Sequence, residues 1–365
     1  NASVTCSTGS PLYVYKSKTT TIYLPDGTAS TLTDGASYTF NDSYSSAEED
    51  EPNACLYSKS DLIIAGTGSL TVKANYNNGI TGKDTLLIEK ATVTVTAANP
   101  GINGKDSLTV KNAAITVTSG GDALRSTNDS DSTLGCIVIA DSTLNLTAGE
   151  DGIQAETTLI ISGGRLTIAT GDDGIHADDT LTISGGTINI TRSYEGLEGA
   201  TVNITGSNIS LVASDDGINA AGGSDQSGFG GFFMDQFGGS GDYLISISGG
   251  VINIDASGDG IDSNGDIEIS GGELYISGPT SNGDGAIDCD GSATITGGIV
   301  VAAGSTGMAE NFGNASTQGS ILVNLSGSAG QTITLKDSDG NVLVSYTPTK
   351  SYGCAVISAP GIVQG

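Results

Sequence analysis

Over 365 residues the chain has 41 acidic and 13 basic side chains, a formal charge of −28, yet 37% of it is hydrophobic. That balance excludes a disordered acidic tail, which lacks the apolar residues to build a core. It also excludes nucleic acid and membrane insertion: the charge repels phosphate, and no apolar run is long enough to span a bilayer. With 55 glycines, 7 prolines and no tryptophan, and no helical periodicity, the composition predicts an all-β chain of short strands and tight turns.

Residues 1–60 read as N-terminal strands forming a cap, with "TTTIYLPDGTASTLTDGASYTF" (Thr19 to Phe40) as irregular strands. The five cysteines lack metal-site spacing, and Cys6–Cys55 is the pair expected to form an N-terminal clip. The chain begins at Asn1 rather than Met, which fits a removed signal peptide and predicts an extracellular or cell-surface protein.

From residue 61 to 304 the chain repeats. A Gly-Ile pair recurs at Gly79, Gly101, Gly152, Gly174, Gly196 (with Leu197), Gly217 and Gly260, at spacings of 22, 51, 22, 22, 21 and 43. "GDALRS" supplies a degenerate mark, Ala123-Leu124, inside the gap of 51. Each unit also carries a relative of "LTISGGTINI", in which apolar residues alternate with polar ones and Gly-Gly sits at the turn. Two strands and a short third one in 22 residues predict one coil of a right-handed parallel β-helix, and the whole stretch predicts about ten coils with capped ends. An insertion at 224–243, "SDQSGFGGFFMDQFGGSGDY", interrupts the period and holds four of the six phenylalanines. Its Phe232, Phe233 and Phe237 are candidates to stack on sugar rings, or else to fold back over their own coil. Residues 305–365 read as C-terminal strands with a hairpin cap, "TITLKDSDGNVLVSY" turning at Asp339-Gly340.

Stacked coils place equivalent residues one above another. The residue before the glycine is Asp151, Asp173, Glu195, Asp216, Asp259 or Asp284, and Glu150, Asp172 and Asp215 come one earlier. Glu198, Asp262 and Asp288 follow the register residue, where His176 and Asn219 also stand, and Asp178 lies just beyond. Between Glu150 and Asp290 there are 23 acids and two bases, Arg165 and Arg192. Such columns repel unless neutralised, and hard oxygens converging from adjacent coils suit Ca²⁺ better than the stricter octahedron of Mg²⁺. The plain alternative is that each Asp is a turn residue bonded to its own backbone. His176 reads as an exposed strand residue. Arg165 and Arg192 are candidates to grip a substrate carboxylate, or to pair with neighbouring acids.

Through its repeated D-G-I and S-G-G motifs, Leu62 to Phe312 resembles a clostridial-type family of secreted β-helix proteins with carbohydrate-binding domains, similar in fold to polysaccharide lyases. The resemblance implies binding of plant cell-wall polysaccharide, polygalacturonate and cellulose, with Ca²⁺ held by Asp172, Asp173, Glu195, Asp215, Asp216, Asp259 and their neighbours. The expected function is calcium-dependent binding of acidic polysaccharide without cleavage. Two alternatives stand beside it: a pectin-degrading enzyme working through paired carboxylates, and an adhesin whose coils calcium only stiffens. A lyase would need a Lys or Arg base, and the acidic stretch has no lysine.

Overall fold

A computed structural model describes residues 1–221 and 242–363, and these are all-β, with no helix among them. None therefore forms a helix long and apolar enough to cross a membrane. The chain divides into two compact units. One holds residues 1–171 and 175–177; the other holds the described residues of 172–174 and from 178 onward.

In the first unit the alternating segments pair strictly parallel, in three ladders. The first runs through Ser3–Cys6, Ala29–Asp34, Ser69–Ala74, Thr92–Ala97, Ala114–Ser119, Ser142–Thr147 and Gly164–Ala169. The second joins Thr19–Leu24, Asp61–Gly66, Thr85–Glu89, Ser107–Lys111, Cys136–Ala140 and Thr158–Ile161. Thr19–Leu24 and Ala29–Asp34, expected as an irregular cap, are thus regular members of two ladders. They alternate like the rest, and pairing satisfies backbone groups that a loose cap would leave open.

The third ladder carries the Gly-Ile marks. Leu56, Ile80, Ile102, Leu124, Ile153 and Ile175 stand in one register column and are fully shielded from solvent. Leu124 confirms the degenerate mark. Burying each such side chain stabilises by about 1.5–3 kcal/mol, so the column is a main support of the core.

The second unit repeats the scheme. Thr187–Ser193, Asn208–Ala213, Val251–Ala256, Glu273–Ser277 and Ile299–Gly304 form one parallel ladder. Leu197–Ile204 begins two more. One continues through Leu244–Ile247, Asp266–Ile269 and Ala293–Ile295, the other through Ile218–Ala220, Ile261–Ser263 and Asp288–Cys289. Tyr352–Ser358 then inserts antiparallel between Ile299–Gly304 and Ser320–Gly327, covering what would be an open edge. The expected hairpin forms from Ile333–Lys336 and Val342–Tyr346, with Gly340 at φ +87° in its turn.

The glycine of the mark answers to space. A Cβ on Gly217 would lie 2.5 Å from the Gly260 carbonyl oxygen and 2.4 Å from Ile254 Cγ2, and one on Gly260 would meet the Ala286 carbonyl oxygen at 2.4 Å. Only a residue without a side chain lets the strands close up here. The expected Cys6–Cys55 clip is absent, and all five cysteines are free thiols. Cys6 lies in the first ladder and the buried Cys55 in the third.

Candidate cation and glycan site

Within the second unit the marks Asp216-Gly217, Asp259-Gly260 and Asp284-Gly285 follow one another, so their acids accumulate at one place. Glu195, Asp215, Asp216, Asp259, Asp262 and Asp284 line a single cavity of about 280 Å³, with Asn219 and Asn264. Among the described residues, no lysine, arginine or histidine lines it. One oxygen from each of Asp216, Asp259 and Asp262 lies within 4.8 Å of the others.

The acids here bond not to their own turns but to backbone N–H groups 22 to 43 residues further along the chain. Asp216 Oδ1 accepts the Asp259 N–H at 2.5 Å, and Asp259 Oδ1 accepts the Gly285 N–H. Asp173 Oδ1 likewise accepts the Glu195 N–H at 3.0 Å. Each carboxylate thus ties two successive coils together through one oxygen.

Electrostatically the cavity is unbalanced. Burial first, then the charges of Asp259, Asp215 and Asp262, push Asp216 up to about 9. Asp259 rises to about 8 through burial and its neighbours Asp262, Asp288 and Asp284, against the relief of the Gly285 hydrogen bond. Glu195 is raised well above its ordinary value by burial and by Asp173 and Asp216, although both its oxygens accept from Asn219 Nδ2 at 3.0 Å. Asn219 is 8% exposed, and its carbonyl Oδ1 is buried without a hydrogen-bond partner. A buried carbonyl left in this way is costly, and a hard cation among the carboxylates is the partner that would satisfy it. The donor set, carboxylates plus an amide carbonyl, fits Ca²⁺.

Glu198 is buried and continues the same column, in register with Asn219, which pairs with Asp262, which pairs with Asp288. Asp172 and Asp178 are half-buried and also belong to this unit. Glu150 and Asp151 belong to the first unit, Glu150 exposed and Asp151 buried. His176, expected at the surface, is only 5% exposed, with Nδ1 3.9 Å from Asp151 Oδ2. Its strand pairs with Ile153–Ala155, with Gln154 in its register position.

Neither Arg165 nor Arg192 lines the cavity. Arg165 is exposed in the first ladder opposite Thr143, and Arg192 is exposed at an irregularity in Thr187–Ser193. Phe232, Phe233 and Phe237 lie outside the described residues. Two residues escaped the sequence reading. Asn264 lines the cavity, and its only signal was its place two residues beyond Asp262. Arg125 stands in the register column of His176 and Gln154 and pairs with Asp122 at 3.3 Å, a basic residue where later marks carry acid.

Residues 1–222 and 171–342 match the sequence model of a family described as carbohydrate-binding domain-containing protein. A relative with that same description, from Acetivibrio thermocellus, is 39% identical over 94 residues, which is 26% of this chain and 32% of the relative. The chain therefore aligns with about a third of that relative's length. Among solved structures, the gadolinium derivative of the polysaccharide lyase-like protein from C. thermocellum is 31% identical, covering 50% of this chain and 71% of that one at a TM-score of 0.47.

Proposed function

We propose a function from the premise that this chain belongs to the carbohydrate-binding domain-containing family. It is a secreted or cell-surface, calcium-dependent binder of acidic plant cell-wall polysaccharide, polygalacturonate first and cellulose second, and does not cleave what it binds. The ladders are read as the faces of a right-handed parallel β-helix, a rigid support suited to a linear polymer.

One observation carries the reading: a cavity lined by six carboxylates and no base, with the Asn219 carbonyl buried and unpartnered beside them. Asp216, Asp259, Asp262 and Asn219 would hold Ca²⁺, with Glu195 fixing the Asn219 amide so that its carbonyl, not its NH₂, serves as donor. Bound there, the ion would supply the positive charge that lets an acidic protein meet a uronate carboxylate. One oxygen from each of the three aspartates lies within 4.8 Å of the others. That spacing suits one shared cation.

Calorimetric titration of polygalacturonate into calcium-loaded protein tests this. A saturating isotherm that vanishes on chelation, while circular dichroism still reports the folded chain, is expected. Continuous heat that grows with substrate would replace the binder with an enzyme. Calcium-induced thermal stabilisation without any glycan heat would replace it with the adhesin.

A further inference from the structure

The first unit holds a second cavity, of about 210 Å³, of different character. Its walls include the rings of Tyr13, Tyr38 and Phe40, with Thr39, Asn41 and Asp42 between them, and no cationic side chain lines it. The rings are held in place from outside. Tyr13 Oη donates to the Tyr44 carbonyl at 2.9 Å, and Tyr38 Oη donates to Asp34 Oδ2 at 2.9 Å. Tyr38 also stacks on Tyr76, centroids 4.2 Å apart and planes 17° from parallel. Beside the cavity, Tyr15 and Tyr44 pack edge to face at 5.0 Å although 45% and 58% exposed. Aromatics gathered only to fill a core would be covered; these keep ring surface in water, next to fixed hydrogen-bonding groups.

We infer that this cavity binds one uncharged sugar ring, its C–H face on the tyrosine and phenylalanine rings and its hydroxyls on Asp42 and Asn41. Two features select a neutral ring. Asp42 is exposed and accepts the Tyr44 N–H at 2.8 Å, which keeps it ionised and able to accept from sugar hydroxyls. The same carboxylate repels a uronate, and Lys59, the base beside Tyr13 and Tyr15, is already paired with Glu51 at 2.6 Å. The inference shares the carbohydrate-binding reading given above, but it needs no cation, and every residue it uses lies in residues 1–76.

Lacking tryptophan, the chain emits through tyrosine, so ligand on these rings changes the intrinsic fluorescence. Cellohexaose, xylohexaose, mannohexaose and hexagalacturonate are titrated into the full chain, with EDTA and with calcium. At least one neutral oligosaccharide is expected to bind equally in both. Phe40→Ala and Asp42→Ala should each weaken it about tenfold, the loss of one stacking or hydrogen-bond contact, with circular dichroism unchanged. Asp42→Ala, at an exposed position, keeps the test valid should Phe40→Ala fold poorly. Saturation by none of the three neutral ligands overturns the inference, as does binding that Asp42→Ala leaves intact. Hexagalacturonate reports separately: its failure in calcium, with neutral binding normal, sinks the calcium-bridged reading and spares this one.

Discussion

Glu51 in the first unit and Asp216 in the second are both acids drawn out of bulk water, and their proton affinities move in opposite directions. Burial acts to raise Glu51, but the Lys59 and Lys83 ammonium groups, at 2.6 and 2.8 Å, outweigh it and bring the carboxyl to about 2. Asp216 has only other acids around it and rises to about 9. One register column shows the same contrast. After the register residue the first unit carries Tyr57, Thr81, Asn103, Arg125, Gln154 and His176, without a single acid. The second carries Glu198, Asn219, Asp262 and Asp288. Glu51 has its countercharge built in, whereas no lysine, arginine or histidine is among the described residues that line the cavity around Asp216.

The strongest way to break this comparison is a pH series without calcium. Asp216 and Asp259 have folded-state values of about 9 and about 8, above their ordinary 3.8, so between those limits the folded chain binds more protons than the unfolded one. Their contribution is therefore complete below the ordinary 3.8 and is lost as pH rises through about 8 and about 9. Calcium should flatten that slope in thermal melts. Glu51 works the other way. Its contribution is present above its ordinary 4.5 and is lost as pH falls to about 2. A calcium-free melting temperature that does not fall between pH 5 and 9 would remove the case for an uncompensated cavity.

Next in size is the loss of calcium ligands. Asp216→Ala and Asp259→Ala should each lower calcium affinity by about a hundredfold or more in direct titration. Asp216→Asn sharpens the point, because it keeps an acceptor for the Asp259 N–H while removing the charge. It should lose calcium affinity and yet melt higher than the parent in EDTA at pH 8.

Arg125→Gln tests the built-in cation. Asp122 Oδ1 also holds the Asp151 N–H at 3.2 Å, and burial already raises this carboxyl against the pull of Arg125. Removing the guanidinium should cost about 2 kcal/mol in denaturant unfolding, equally with and without calcium. Smallest is Glu51→Gln. Its lysines are 32% and 40% exposed, so water replaces much of the pairing and the loss should be about 1 kcal/mol.

Periodic features were legible in the sequence because a parallel ladder converts a spacing of 22 into contact. The buried column from Ile80 to Ile175 and the acids of the cavity both follow from counting, even through the degenerate Ala123-Leu124 mark, whereas Leu56 joins that column from residues read as a cap. Features that depend on a single side chain's reach did not follow. The Asn219 carbonyl, the Arg125–Asp122 pair and the burial of His176 depend on which atom points where, and a repeat does not encode that. The aromatic cavity was hidden for a related reason. Tyr13, Tyr38 and Tyr76 share no interval, and only the three-dimensional path of the first 76 residues gathers them.

The ladders also determine where this protein can change length. Ile218 pairs with Ile261 across 43 residues, and Leu124 with Ile153 across 29, with the register kept in both places. Both excesses fall at the same joint, directly after a strand bearing the mark: Leu124–Ser126 before Cys136–Ala140, and Ile218–Ala220 before Leu244–Ile247. Each strand there is located by its own neighbours above and below, so the connecting chain carries no information about alignment. The equivalent gaps after Ile153–Ala155 and Ile261–Ser263 are two residues long; the latter gap, Asn264-Gly265, is tied to the cation cavity through Asn264, so a loop grafted after Ser263 would alter that cavity.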